Sequence, residues 1–151
     1  VIGLHGDLGA GKTTLVRGIA AGLDATPSMV SSPTFVLIHE YVGRVPLAHV
    51  DLYRIRSEAE LATLGLSEYV NGRTVVVVEW ASRAGSELGR DHLAVSLSHR
   101  TERTRVIRLA ANGSRSAILL ALIVKLYHQV QRRSARGRRH RLPRTVRAGA
   151  A

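Results

Sequence analysis

Residues 1–18 read VIGLHGDLGAGKTTLVRG, and Gly6-Asp7-Leu8-Gly9-Ala10-Gly11-Lys12-Thr13 fits G-x-x-x-x-G-K-[ST] at every fixed position. No other stretch limits the possible folds as much. Such a loop wraps a phosphate only if its backbone N–H groups point inward and a helix starts at its end, N-terminus toward the anion. The flanks agree. "VIGL" is a short apolar strand, and "KTTLVRGIAAGL", 12–23, is a helix with Leu15, Ile19 and Leu23 spaced four apart.

Further elements follow. After a Ser- and Pro-containing loop, 24–33, residues 34–41 and 45–53 read as strands joined by a turn at Gly43-Arg44. Residues 57–65 carry a capping box, Ser57 with Glu60, and a stop at Gly65. "TVVVVEW", 74–80, is a β-branched run, the mark of a strand buried on both faces. "LAVSLS", 93–98, and "TRVIRLA", 104–110, alternate and flank a polar turn, which predicts an antiparallel hairpin. Together these predict a three-layer α/β fold of the P-loop NTPase class over residues 1–112. Its sheet is mixed and mostly parallel, and it ends in that hairpin.

The chain changes character at residue 114. All 11 acidic residues lie before it, against 12 basic ones, while 114–151 holds 10 basic residues and no acid. A nearly neutral domain thus carries a cationic tail. Residues 113–131 predict a docking helix whose apolar stripe is Ile118, Leu122 and Leu126, with Leu119 and Ile123 beside it. Residues 132–151 contain 8 Arg among 20 residues and almost nothing to bury, which predicts an unfolded tail. With Tyr127 the one stacking side chain of 114–151, the cationic segment offers only salt-sensitive, sequence-blind affinity for nucleic acid. The chain has no cysteine, which suits a reducing cytosol. Its longest apolar run, "AILLALIV", is far short of the roughly 18 residues of a membrane helix, so no membrane span is expected.

The motif nominates a nucleotide cradle of Asp7, Leu8, Gly9, Ala10, Gly11, Lys12, Thr13 and Thr14. Lys12 would reach the outer phosphates, and the Thr13 hydroxyl would ligate Mg²⁺. The chain has 20 Arg and 2 Lys, so a lysine at this position stands out. A P-loop also needs a carboxylate for the metal's water shell and a group to place the attacking water. Asp51 and Glu79 each end an apolar strand, where parallel sheets bind ligands. Each is either part of this machinery or an acid capping the next element. Glu58 and Glu60 belong to a solvent face, and Glu40 lies inside an alternating strand. Thr34 is either a plain strand-start residue or a sensor of the terminal phosphate. Trp80 is an interface anchor if exposed and core if buried. His5 and His49 read as packed strand residues. The base-reading Asn/Thr-Lys-x-Asp of GTPases is absent, which favours ATP.

In this order, "GDLGAGKTTLVRG", "SSPTFVLIHEY", "HVDLYRI" with "LGLSEY", and "VVVVEW" resemble the TsaE family over roughly residues 2–110. Its members are small P-loop ATPases of bacterial tRNA threonylcarbamoyladenosine synthesis. The resemblance implies ATP and Mg²⁺ at Lys12 and Thr13, and a switch-like role for Thr34. It implies a metal-shell or catalytic role for Asp51, a catalytic and metal-site role for Glu79, and a partner contact at Trp80. It also implies TsaB and TsaD as partners, with the transferase chemistry belonging to TsaD, a cytoplasmic setting, and tRNA met indirectly or through the basic tail. Family members usually carry about 20–30 residues ahead of the first P-loop strand, a segment expected to be missing here. Residues 132–151 match nothing in the family's pattern. The competing reading is a small-molecule kinase, whose lid would draw Arg83 and Arg90 from 81–91, a stretch short for a lid helix.

Overall fold

The computed structural model describes residues 1–26, 30–33 and 37–139, with 135–139 as backbone only. Six strands form one sheet: β1 (Ile2–His5), β2 (Ile38–Tyr41), β3 (Leu47–Asp51), β4 (Val75–Glu79), β5 (Leu93–His99) and β6 (Arg105–Ala111). Their order is β2-β3-β4-β1-β5-β6. The four inner strands are parallel, while β2 pairs antiparallel with β3 and β6 with β5. The helices are α1 (Lys12–Gly22), α2 (Glu58–Ala62), α3 (Leu66–Tyr69) and α4 (Ser114–Arg139), with two 3-10 turns at Ala81–Arg83 and Gly85–Leu88.

Period-two patterning of the inner strands builds two cores. On the α1 side, Leu4, Leu47, Val77 and Val95 pack with Val16 and Ala20. On the other side, Val50, Val76 and Val78 pack with Leu61, Leu66 and Leu88. The valine run of β4 is thus covered on both faces, as an inner parallel strand must be. The sheet is mixed and mostly parallel, and it ends in an antiparallel hairpin, as the sequence predicts. Ser57 caps α2, its hydroxyl accepting the Glu60 amide at 3.2 Å, while the Glu60 carboxylate accepts the amide of Arg56 at 2.8 Å rather than that of Ser57.

Three local expectations change. The buried face of α1 centres on Val16 and Ala20, with Leu15, Ile19 and Leu23 half-buried beside it. A short helix, α3, starts at Gly65, whose φ of +60° glycine adopts without strain. The third change concerns α4. It runs to Arg139 rather than ending at 131, because the five Arg and one Ala among residues 132–139 are good helix formers that outweigh Ser134 and Gly137, and no proline interrupts them before 143. Residues 140–151 of the predicted tail lie outside the described residues.

The helix also docks by a different face. Ser116 is buried and Leu120 and Ile123 pack on the core, whereas Ile118, Leu122 and Leu126 are more than half exposed. Its first turn sets this rotation. The Asp91 carboxylate accepts the amides of Arg115 at 2.8 Å and Ser116 at 2.9 Å. The Ser116 hydroxyl accepts the amides of Asn112 and Gly113 and donates to the Gly113 carbonyl. Among the described residues no helix is long and apolar enough to cross a membrane.

Candidate nucleotide site

The phosphate loop lies between β1 and α1, and backbone shape dictates its glycines. Gly6 has φ +140°, and a Cβ there would collide with the Leu97 carbonyl of β5. Gly11 is the N-cap of α1 at φ +104°, and no side chain caps the helix. The positive end of α1 is therefore left to an anion.

Three charged side chains are buried beside this loop, Lys12 at 4 %, Asp51 at 2 % and Glu79 at 3 % exposure. Burying charge is costly unless it is paired or hydrogen-bonded, and each of the three has partners. The Lys12 ammonium donates to the Gly6 and Asp7 carbonyls, both at 2.9 Å, and lies 3.9 Å from the Trp80 ring centroid. Burial lowers its pKa, and the charges of Glu79, Asp51 and Asp7 partly offset that. Asp51 ends β3. Its Oδ1 accepts the Tyr53 amide at 2.9 Å and its Oδ2 accepts the Ser32 hydroxyl. Glu79 ends β4, directly opposite Asp51 in the register. Its Oε1 accepts the Thr13 hydroxyl at 2.7 Å and bonds His49 Nε2 at 2.9 Å.

A cavity of about 410 Å³ opens over these groups. Leu8, Gly9, Gly11, Lys12, Thr13 and Thr14 line it, as do Asp51, Glu79 and Trp80. Asp7 and Ala10 do not. Asp7 offers its carbonyl to Lys12, and Ala10 is packed into the core. Thr34 lies outside the described residues. Trp80 is half-buried in the left-handed region at φ +59°, its ring 5.1 Å from that of Tyr53. It lines the cavity beside Lys12 and packs against the core, so neither of the two predicted alternatives describes it fully.

Sequence reasoning missed His49, Ser32, Tyr53 and the work of Arg83. One Arg83 nitrogen donates to the carbonyls of Leu52, Tyr53 and Ile55, the segment that follows Asp51. Arg90 lines a separate groove near Val1 and Val75, where β1 and β4 begin, away from the phosphate loop. The one available signal for His49 was its period-two spacing from Asp51, which puts both on one face of β3.

The donor set suits a hard divalent cation bound together with phosphate. Thr13 gives its proton to Glu79, which leaves its oxygen lone pairs unused by that bond. Among the described residues no group of three or more His, Cys, Asp or Glu side chains forms a metal cage. Mg²⁺ is commonly held without one, by one or two carboxylates, water and nucleotide phosphates.

The family model described as "Threonylcarbamoyl adenosine biosynthesis protein TsaE" matches residues 1–107. The chain belongs to the TsaE family. The tRNA threonylcarbamoyladenosine biosynthesis protein TsaE of Bacillus subtilis (strain 168) is 43% identical over 120 residues, spanning 79% of this chain and 74% of that protein. The TsaE of Treponema pallidum (strain Nichols) is 40% identical over 110 residues, spanning 73% of this chain and 81% of that protein. The crystal structure of Bacillus subtilis YdiB superposes with a TM-score of 0.66 at 34% identity, covering 82% of this chain and 76% of that one. TsaE membership and this structural likeness agree with the mixed P-loop sheet described above.

Proposed function

We propose that this chain is a Mg²⁺-dependent ATPase component of tRNA threonylcarbamoyladenosine modification in the cytoplasm, acting with TsaB and TsaD. The observation that carries the reading is the convergence of Lys12, Thr13, Asp51 and Glu79 on one cavity at the N-terminus of α1. The loop and helix end receive the phosphates, and Lys12 leaves its carbonyl partners to neutralise charge on the outer ones. Mg²⁺, when bound, would neutralise phosphate charge and polarise the phosphoryl group. Thr13 and Asp51, with Glu79 at the edge of the shell, would hold it. Glu79 also orients the attacking water and accepts its proton, since its Oε2 has no hydrogen bond among the described residues. Thr34 is assigned a switch-like contact with the terminal phosphate. Trp80, which lines the cavity, is assigned a partner contact, so that docking is felt at the phosphate site. The tRNA is met through these partners or through the Arg-rich residues 132–151.

A kinase lid is not favoured. Arg83 is spent on three backbone carbonyls, and Arg90 lies on the other groove. ATP turnover measured with and without a TsaB–TsaD pair decides between the readings. The ATPase reading expects phosphate release that rises with the pair and needs no small-molecule acceptor. Turnover that appears only when an acceptor is added would overturn it.

A further inference from the structure

We propose that His49 is the positioning residue for Glu79, anchoring one carboxylate oxygen so that the other is held toward the reaction. The inference rests on the ATPase reading above. His49 is fully buried at the centre of β3, a place that apolar packing alone would give to a branched aliphatic residue. Its face of the sheet carries Leu47 and Asp51 on β3 and, across the register, Val75, Val77 and Glu79 on β4. An imidazole in such a row brings a desolvation cost that packing does not repay. Its one hydrogen bond is to Glu79, and Nδ1 has no partner among the described residues. A carboxylate only accepts, so Nε2 carries a proton and donates it.

Both donors to Glu79, Thr13 at 2.7 Å and His49 at 2.9 Å, converge on Oε1. They approach from different elements, α1 and β3, and so fix the plane of the carboxylate as well as its position. Without His49, Thr13 is the one remaining donor of this pair, and Thr13 is also assigned to the metal. His49 therefore keeps the geometry of Glu79 independent of what Thr13 does when nucleotide enters. It is fully buried and does not line the cavity, so it acts through Glu79 alone.

The test compares His49→Leu, which keeps volume and removes the donor, with His49→Gln, whose amide nitrogen reaches about as far as Nε2. Turnover, KM for ATP, the Kd for ADP by equilibrium dialysis, and Tm are measured on the full chain. The expected result is a kcat loss of about 10- to 100-fold in His49→Leu. KM and the ADP Kd should stay within about twofold, and His49→Gln should recover most of the rate. Equal turnover in His49→Leu and the unchanged chain would overturn the proposal. So would a joint loss of rate and nucleotide affinity that His49→Gln does not relieve, because that marks a merely structural role. If His49→Leu does not fold, a cycle with Glu79→Gln decides. His49→Asn, whose shorter amide falls short of Glu79, should then lower kcat by about tenfold alone and far less in the Glu79→Gln background, and full additivity would sink the idea. No ATP turnover in the unchanged chain, with or without TsaB–TsaD, would overturn the ATPase reading and this inference with it. Turnover that is indifferent to His49 overturns the inference alone.

Discussion

The phosphate end of the sheet and the C-terminal helix solve opposite packing problems. At the phosphate end, Lys12, His49, Asp51 and Glu79 are buried although each is polar. In α4, Ile118, Leu122, Leu126 and Val130 are exposed although each is apolar. The first region gives up packing stability to hold charge in place for a ligand. The second attaches by a narrow strip, Ser116, Leu120 and Ile123, and leaves the rest of its apolar surface uncovered by the described residues. Disturbing the first should therefore damage function more than fold, and disturbing the strip should damage fold more than function.

The largest effect expected is at Lys12. Lys12→Ala should reduce Mg-ATP binding or turnover by at least about 100-fold, because charge neutralisation at the transferring phosphate is lost. Circular dichroism should still report a folded chain. An unfolded Lys12→Ala chain would break the comparison at its first term. Glu79→Gln follows. It should lower kcat by about 100-fold or more while the Kd for ADP stays within a few-fold. Lost binding with unchanged turnover per bound nucleotide would remove Glu79 from the chemistry.

The third prediction moves to α4. Leu120→Ala and Ile123→Ala should each lower unfolding stability in urea by about 1–2 kcal/mol, below the 2–5 kcal/mol of fully buried sites because both are half-buried. Ile118→Ala and Leu122→Ala should stay within about 0.5 kcal/mol. A reversed ranking would restore the stripe that spacing alone predicts. The smallest effect is a pH dependence at Asp91. The backbone amides of Ser116 and Arg115 hold its pKa below the ordinary carboxylate value. A depressed carboxylate gives stability above its unfolded pKa and loses it as pH falls through the folded one. The Tm of the unchanged chain should therefore exceed that of Asp91→Asn at neutral pH, and the gap should close below about pH 4. A gap that persists in acid would mean that the protonated carboxyl caps α4 as well as the ionised one, and that charge has no part in it.

What could be read from the sequence divides along the same line. The phosphate loop was legible because a local backbone need, glycine at positive φ before a helix, leaves a local signature. Asp51 and Glu79 were legible as strand-ending acids because an acid that interrupts a valine run has few structural reasons to be there. His49 was not, since a histidine inside an apolar strand reads as packing until the β3–β4 register sets it against Glu79. Arg83 read as a possible lid residue for the same reason, because its three carbonyl partners lie some 30 residues back along the chain. The face of α4 was illegible by periodicity. Apolar residues fill so much of 117–130 that several stripes are equally good, and the rotation is chosen by Asp91 and Ser116 instead. Nor does composition mark where this helix ends, since arginine suits a helix and a solvated tail alike.

Arg83's attachment to the segment after Asp51 has an electrostatic corollary. With that guanidinium committed, the described side chains lining the phosphate cavity comprise one ammonium, Lys12, against two carboxylates, Asp51 and Glu79. A nucleotide would add further negative charge to a place already short of positive charge. The backbone dipoles of α1 supply part of the balance, equivalent to about half an elementary charge. A cation that accompanies the ligand would add to that balance. On the proposed reading, such a site would be poorly disposed toward a bare polyphosphate and receptive when a cation accompanies it.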